Sequence, residues 1–267
     1  MLIDDTSLTD WRRDGWLHLP RVFDVHDVER LRAAVEELAS WAEVGAPGLH
    51  HFEQTDGGPV VARSEHFADE HDHLGSVLRS GLVPGVLEAL LDEPAVLFKE
   101  KVNYKYPGGG GFAPHQDAAA YRFVDHHVSV MIPIDPATIE SGCLWFAPGY
   151  EAGQLDTDAR GRLTDEVAAS LDWRSLEVDP GDIVVFDSYA PHRSDTNRSS
   201  RPRRALYLTY NRASLGDHRD RYYADKLAEF DSAGHDFDGE RVRISISDDF
   251  LGRPVVEAAG TGATDGR

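Results

Sequence analysis

A chain of 267 residues with 41% hydrophobic and 28% charged residues has the composition of a globular protein that buries a sizeable core. Asp and Glu number 47 against 27 Lys and Arg. The resulting net charge of −20 argues against nucleic acid or an anionic membrane surface as the main partner, since both attract positive charge. The single cysteine, Cys143, excludes an internal disulfide and a cysteine-based zinc site. No signal peptide or membrane-spanning run is recognised, so the expected location is the cytoplasm.

The N-terminal third of the chain is predicted to be mainly helical. A short helix leads into the strand-like GWLHLP, and apolar residues at helical spacing predict an amphipathic helix over residues 24–42. Residues 45–59 have the composition of a loop. A second helical zone follows over residues 64–91, with breaks expected at Gly81 and Pro84.

From Ala95 the sequence changes to short runs of β-branched and aromatic residues, bounded by glycine, proline, aspartate or serine. The runs are VLFKEKVNY, HHVSVMIPI, CLWFA, LEV, DIVVF and ALYLTYN. Many short strands separated by turn signals predict a sandwich or barrel, here a double-stranded β-helix of the cupin-like jelly-roll type. We therefore expect a mainly β fold with flanking helices.

No interdomain linker or internal repeat is visible, so residues 1–267 are expected to form a single domain. Within it, residues 95–212 are predicted to be the jelly-roll core that carries a metal site. Residues 1–94 are expected to be a helical N-terminal decoration and residues 213–251 a C-terminal extension with a surface helix. Residues 252–267 are small and polar, which predicts a flexible tail.

A His-x-Asp pair, His115 and Asp117, follows the first strand of this core. Residues two apart on an extended strand point to the same face, so an imidazole and a carboxylate at this spacing can converge on one metal ion. Taken alone, such a pair is more often an ordinary surface feature. His192 is the third candidate ligand, because it directly follows the strand DIVVF and the turn-like DSYAP. Two histidines and one carboxylate form the facial triad of non-haem Fe(II) oxygenases.

Three arginines follow His192 at the entrance to the strand ALYLTYN. The guanidinium of Arg203 has the rigid fork that holds a carboxylate with two hydrogen bonds. Arg204 alternates with Arg203 and should point to the other face of the strand. The sequence leaves open whether Arg203 or Arg204 binds the carboxylate of an oxoacid. Without the His-x-Asp pair, Arg201, Arg203 and Arg204 would be interpreted as solvated charges.

These elements, in this order, resemble the phytanoyl-CoA dioxygenase (PhyH) family of Fe(II)/2-oxoglutarate-dependent oxygenases, which includes ectoine hydroxylase-like enzymes. The matching segments lie within residues 95–212 and are His115-x-Asp117, Gly142-Cys143-Leu144, Pro148-Gly149, Pro180-Gly181-Asp182, His192 with Ser194, and Pro202-Arg203. One departure is Tyr150-Glu151, where family members commonly have Ser-His. That loop borders the site, so the departure bears on the identity of the substrate more than on the chemistry.

The resemblance implies that His115, Asp117 and His192 bind Fe(II), that 2-oxoglutarate and O2 are cosubstrates, and that succinate and CO2 are released. It also implies four contacts with 2-oxoglutarate, namely Arg203 at the distal carboxylate, Ser194, Asn103 and, more weakly, Lys99. A halogenase of this architecture would need Ala or Gly in place of Asp117. The carboxylate therefore favours a hydroxylase acting on an unactivated C–H bond.

Five residues near the metal motif are candidate substrate contacts: Tyr121, Arg122, Trp145, Tyr104 and Lys101. Basic groups gathered near the predicted site of an otherwise acidic protein indicate a small polar substrate that is anionic or zwitterionic. An organophosphonate, an amino acid or a natural-product intermediate would fit this description. The sequence leaves the oligomeric state open.

Two other functions are compatible with the same pattern. A jelly-roll metalloenzyme that does not use 2-oxoglutarate would have no need of Arg203. A non-catalytic jelly roll that binds a small molecule would have no need to bring His115, Asp117 and His192 around one metal ion.

Overall fold

The computed structural model describes residues 3–120, 123–232, 240–241, 249–255 and 257–258. Within them the strands are β1 (Trp16–Leu19), β2 (Leu49–Thr55), β3 (Gly58–Glu65), β4 (Ala95–Lys105), β5 (Phe112–His115), β6 (Val128–Pro133), β7 (Leu144–Phe146), β8 (Arg174–Leu176), β9 (Ile183–Asp187), β10 (His192–Ser194), β11 (Arg203–Arg212), β12 (Glu240–Arg241) and β13 (Glu257–Ala258). The helices are α1 (Asp5–Asp14), α2 (Val25–Val44), α3 (Asp72–Arg79), α4 (Leu82–Leu91), α5 (Asp165–Ser170) and α6 (Arg219–Ser232). Short 3-10 turns cover Asp117–Ala120, Tyr150–Ala152 and Ala213–Leu215.

Two antiparallel sheets form the core of the described chain. The major sheet has seven strands in the order β1-β9-β6-β11-β4-β3-β2, and the minor sheet has four in the order β5-β10-β7-β8. Neighbouring strands come from distant parts of the sequence, as they do in a jelly roll. The structure confirms the predicted mainly β fold with flanking helices and finds strands in five of the six predicted β-type runs. The sixth run, LEV, shares only Leu176 with β8.

Apolar side chains pack on both faces of the major sheet. On the outer face, Leu38 of α2 and Leu78 of α3 belong to one buried cluster with Leu208 of β11. On the inner face, Phe186 of β9 packs with Phe146 of the minor sheet in a second cluster. The polar residues of the inner face therefore lie between the two sheets, where they line a cavity.

Two expectations for the N-terminal third were wrong. Residues 45–59, expected to be a loop, contain β2, and residues 1–94, expected to be a helical decoration, supply three strands to the major sheet. Two inward-facing residues of β2, His51 and Glu53, are polar although only 3% and 5% exposed. A search for apolar alternation therefore misses this strand.

The predicted helical zone over residues 64–91 is divided between β3 and two helices. Gly81 ends the gap between α3 and α4 with φ 82°, which confirms the break expected there. The break expected at Pro84 was wrong, because Pro84 lies in the first turn of α4, where an amide hydrogen would have no helical acceptor.

The segment Asp72–Leu91 is long and apolar enough to cross a membrane by composition alone, with a mean hydropathy of 1.4. In the fold it consists of α3 and α4, and its apolar residues Leu74, Leu78 and Leu87 are fully buried in the outer cluster. Packing on the major sheet therefore accounts for its hydrophobicity.

The start of the predicted flexible tail is paired with β2. The amide of Gln54 donates to the carbonyl of Arg253 at 2.7 Å, and the amide of Val255 donates to the carbonyl of Phe52 at 3.0 Å. The prediction of a flexible tail was therefore wrong for its first residues, which pair with β2. Most of residues 256–267 lie outside the described residues.

Glu100 of β4 anchors α6 and the segment before α3. Its carboxylate is fully buried, and Oε1 accepts hydrogen bonds from the amides of Phe67 and Ala68, both at 2.8 Å. Arg219, at the start of α6 and 5% exposed, pairs with the same carboxylate, with Nη2 2.8 Å from Oε1. Because a buried charge is tolerated only when it is paired, this contact fixes α6 beside β4.

Replacing Arg219 by methionine is expected to lower the free energy of unfolding by about 3–5 kcal/mol, since Glu100 would be left as an unpaired buried charge. Urea unfolding followed by circular dichroism measures the change. Arg174→Met is the control, because Arg174 and its partner Asp172 are 59% and 73% exposed, and its urea midpoint should stay close to wild type. Equal midpoints for the two variants would show that the buried pair does not anchor α6.

Backbone segments approach closely where β5 begins. A Cβ added at Gly111 would lie 2.1 Å from the carbonyl oxygen of Ser194, and one added at Gly110 would lie 2.3 Å from the amide nitrogen of Gly252. Only glycine therefore lets β5 approach β10 and the segment at 249–252 this closely.

The Gly111→Ala variant is expected to be about 1–3 kcal/mol less stable than wild type, because the backbone of β10 must shift to admit the methyl group. Gly57→Ala in the turn between β2 and β3 is the control, since its nearest contact would be an ordinary 3.7 Å to Thr55 Oγ1. Thermal unfolding compares the two. A melting temperature of Gly111→Ala equal to that of the control would contradict the argument.

Candidate metal centre

Two short neighbouring strands position the candidate histidines. β5 and β10 pair antiparallel in the minor sheet with His115 directly opposite His192, and the ring centroids are 4.2 Å apart. Asp117 does not lie on β5, as the His-x-Asp argument assumed, but begins the 3-10 turn that follows it. The turn still brings the carboxylate to the histidines, and one ligand atom from each of the three residues lies within 4.8 Å of the others.

Hydrogen bonds orient both imidazole rings toward this point. Nδ1 of His115 lies 2.7 Å from the carbonyl of Ala113, and Nδ1 of His192 lies 3.0 Å from the carbonyl of Ala190. A carbonyl only accepts, so each Nδ1 carries the proton and each Nε2 keeps its lone pair for a metal ion. Burial lowers the pKa of His192 to about 4, with the charge of His115 as the second cause, so His192 is neutral at pH 7.

Asp117 is held as a carboxylate. Burial alone would raise its pKa, but the nearby His192, Lys101 and His115 lower it well below the usual range. Its Oδ2 accepts a hydrogen bond from Ser129 Oγ at 3.1 Å. Two imidazole nitrogens and one carboxylate are the donor set that suits Fe(II).

The two adjacent arginines of β11 have opposite environments. Arg203 is 1% exposed, and only its Nη1 has a partner among the described residues, the hydroxyl of Tyr207 at 3.2 Å, whereas Nε and Nη2 have none. Arg204 points to the other face, where it pairs with Asp135 at 2.7 Å and with Glu36 at 3.3 Å. A buried guanidinium with unused donors is costly, so the environment of Arg203 fits a carboxylate such as that of 2-oxoglutarate.

Arg203 does not itself line the cavity but contacts Tyr207, which does. The other predicted cosubstrate contacts, Ser194, Asn103 and Lys99, all lie on the cavity wall. Sequence reasoning missed Lys105, whose Nζ donates to Ser194 Oγ at 3.0 Å. Lys105 alternates with Lys99 and Asn103 along β4, so the strand periodicity contained that signal.

The cavity between the two sheets has a volume of about 170 Å³ and includes the three candidate ligands in its wall. Its basic side chains are Arg63, Lys99, Lys101, Arg193 and Lys226, and its aromatic side chains are Phe112, Phe186, Tyr207 and Tyr222. Tyr222 and Lys226 come from α6, and Asp249 comes from the segment beside β5. Sequence reasoning missed these three because they follow the predicted core and no motif marks them.

The five candidate substrate contacts have different outcomes. Lys101 lines the cavity. Tyr104 was expected to face inward, which was wrong. It alternates with Asn103 along β4 and therefore points into the outer core, where it is 1% exposed. Trp145 was also wrong, since its neighbours Leu144 and Phe146 are buried and Leu144, not Trp145, lines the cavity. The Trp145 ring instead packs behind the wall residue Arg193, 4.8 Å from its guanidinium. The remaining two, Tyr121 and Arg122, lie outside the described residues.

Comparison with known proteins relates the chain to one family. The family model of phytanoyl-CoA dioxygenase (PhyH) matches residues 11–205. A methylphosphonate hydroxylase of Gimesia maris is 43% identical over 257 residues, which cover 95% of this chain and 97% of that protein. A 2-aminoethylphosphonate dioxygenase of an uncultured bacterium is 37% identical, with 92% and 96% covered.

Solved structures support the fold. The crystal structure of EctD from S. alaskensis with 2-oxoglutarate and 5-hydroxyectoine superposes with a TM-score of 0.68 at 20% identity, covering 80% of this chain and 77% of that one. The chain therefore belongs to the phytanoyl-CoA dioxygenase family and is an Fe(II)/2-oxoglutarate-dependent dioxygenase.

Proposed function

We propose that this dioxygenase hydroxylates a C–H bond of a small organophosphonate, with 2-oxoglutarate and O2 consumed and succinate and CO2 released. The observation that carries the proposal is the cluster of His115, Asp117 and His192 on the wall of a small, strongly basic cavity. The methylphosphonate hydroxylase and the 2-aminoethylphosphonate dioxygenase to which the chain is similar are both named for phosphonate substrates.

Charge and size both support an organophosphonate. Arg63, Lys99, Lys101 and Lys226 line the cavity of a protein whose net charge is −20, so the cavity wall is basic in an otherwise acidic protein. The volume of about 170 Å³ is below the ~300–1,000 Å³ of clefts that enclose drug-sized ligands. A small anion therefore fits better than an acyl-CoA.

In the proposed mechanism, His115, Asp117 and His192 hold the iron, and the carbonyls of Ala113 and Ala190 keep both imidazoles in the metal-binding tautomer. Bound iron supplies the oxidative chemistry that couples decarboxylation of 2-oxoglutarate to hydroxylation.

The remaining residues of the proposed mechanism orient the cosubstrate and limit water. Arg203 binds the distal carboxylate of 2-oxoglutarate, with Ser194 and Asn103 as further contacts. The apolar part of the cavity wall, formed by Phe112, Leu144 and Phe186, restricts the entry of water. The proposal requires no partner other than a small-molecule substrate. It also includes a cytoplasmic location, which agrees with the free thiol of the buried Cys143.

The neighbouring arginines provide a matched test of the oxoacid site. Arg203→Met should weaken 2-oxoglutarate binding roughly 10- to 100-fold, because the variant loses charge-assisted hydrogen bonds worth about 1.5–3 kcal/mol. Arg204→Met should bind 2-oxoglutarate as wild type does, although loss of the pair with Asp135 should reduce its stability. Anaerobic titration of the Fe(II)-loaded protein, followed by the visible absorption of the 2-oxoglutarate chelate, measures the affinity. Weakened binding in Arg204→Met alone would reverse the assignment.

Loss of the carboxylate ligand is expected to abolish hydroxylation. Asp117→Ala should neither retain Fe(II) nor form succinate with methylphosphonate. Ser129→Ala, which keeps all three ligands but removes the hydrogen bonds of Ser129 Oγ to Asp117 and to Thr209, should lower the affinity for Fe(II) roughly 10- to 100-fold and recover activity at high Fe(II). Metal titration and succinate analysis measure both effects. Near wild-type turnover by Asp117→Ala would remove Asp117 from the metal centre.

A further inference from the structure

Lysine is rare in this chain and is concentrated at the proposed active site. The sequence contains four lysines and 23 arginines. Lys99, Lys101 and Lys226 line the cavity, and Lys105 lies beside it in contact with Ser194. Every other basic residue, apart from histidine, is arginine, so all four lysines of the chain lie in or beside this cavity.

Lysine and arginine differ in ways that matter in a confined cavity. Arginine presents a broad planar fork that stays charged, whereas lysine presents a compact ammonium group whose protonation responds to burial. Burial lowers the pKa of Lys101 to about 8, and burial together with the charge of Lys101 lowers the pKa of Lys99. An anion bound next to these ammonium groups would restore their charged form.

Among the described residues, Lys105 and Lys226 are held by partners, whereas Lys101 is not. Lys105 donates to Asp195 O at 2.7 Å, to Ser194 Oγ at 3.0 Å and to Gly142 O at 3.2 Å. Lys226 forms an ion pair with Glu65. Lys101 has no hydrogen bond or ion pair within the part of the chain that the structure describes, and its Nζ lies 5.5 Å from the ring centroid of Tyr207.

We propose that Lys99 and Lys101 bind the phosphonate group of the substrate, an assignment that rests on the proposed function. The two side chains share the cavity face of β4, and residues two apart on a strand are separated by about 6–7 Å. A tetrahedral group with three acceptor oxygens accepts from both ammonium groups, while a planar carboxylate offers only two oxygens.

The position of these lysines separates the substrate from the oxoacid. Along the same face of β4, Asn103 and Lys105 lead toward Arg203, which pairs with Lys105 across the β4–β11 ladder. Lys99 lies at the opposite end, where its Nζ is 5.7 Å from the ring centroid of Tyr222 on α6. The proposal therefore assigns Lys99 to the phosphonate and not to 2-oxoglutarate, the contact that the family resemblance implied for it. The 2-oxoglutarate therefore extends toward Arg203, and the phosphonate lies toward α6.

Charged groups from several elements face Lys101. They are Arg63 and Glu65 from β3, Lys99 from β4, Asp117 from the metal turn, His192 from β10 and Asp249 from the segment beside β5. Glu65 is already paired with Arg63 and Lys226, and Asp117 is committed to the metal centre. Asp249 lies 3.3 Å from His115 Nε2 on the same wall.

Steady-state kinetics with methylphosphonate test the assignment in the Fe(II)-loaded enzyme. Lys101→Met and Lys99→Met should each raise the KM for methylphosphonate roughly 10- to 100-fold while the affinity for 2-oxoglutarate stays within about twofold of wild type. Arg174→Met, which changes an exposed cation on β8, is the control and should alter neither quantity. A rise in the KM for 2-oxoglutarate equal to that for methylphosphonate, or no rise in either, would overturn the assignment.

The pH dependence gives a second readout. A lysine must be protonated to bind an anion, so wild-type kcat/KM for methylphosphonate should fall as the pH rises above about 8, where Lys101 loses its proton. Lys101→Arg keeps its charge, and the fall should move to higher pH. An unchanged alkaline limb in Lys101→Arg would count against the role of Lys101.

Chemical labelling separates this assignment from the proposed function. Acetylation at pH 8 of the anaerobic Fe(II)/2-oxoglutarate complex, read by mass spectrometry against a lysine-containing reference peptide, should modify Lys99 and Lys101 less when methylphosphonate is present. Acetate at the same concentration should not protect them. Protection without turnover would refute the proposed reaction and keep the binding site, whereas turnover without protection would refute the binding site and keep the reaction.

Discussion

The antiparallel pairing of β5 with β10 is the interaction on which the metal centre depends. It sets His115 opposite His192, and the carbonyls of Ala113 and Ala190 turn both Nε2 atoms toward Asp117. The strands have only four and three residues, too few to be stable as an isolated pair. Their pairing therefore relies on packing against the major sheet and on the glycines that let the backbones approach.

β4 links the stability of the fold to its chemistry. One face of the strand contributes Val102 and Tyr104 to the outer core, and the opposite face carries Lys99, Lys101 and Lys105 between the sheets. Placing three lysines on one face between the sheets is costly, because each charged form loses hydration. The apolar contacts of the outer face offset this cost, and Lys105 is further stabilised by its hydrogen bonds to Gly142, Ser194 and Asp195.

The chain beyond residue 205 contributes side chains to one end of the cavity. The family match ends at residue 205, yet Tyr222 and Lys226 on the cavity wall belong to α6. The buried pair of Glu100 and Arg219 fixes the start of this helix against β4. The three candidate iron ligands therefore lie within the matched segment, whereas α6 contributes to the cavity wall from outside it.

The sequence by itself determined the jelly-roll class, the chemistry of the site and the short group of residues able to carry it. Strand alternation, turn residues and a His-x-Asp motif are local patterns, and they are readable without knowing which segments meet. It could not reveal β2, whose buried face is polar, nor exclude Tyr104 and Trp145, whose orientation depends on strand register. Only the tertiary structure decided that Arg203 is buried with unused donors while Arg204 is neutralised by Asp135, because partners distant along the chain determine which charge stays available.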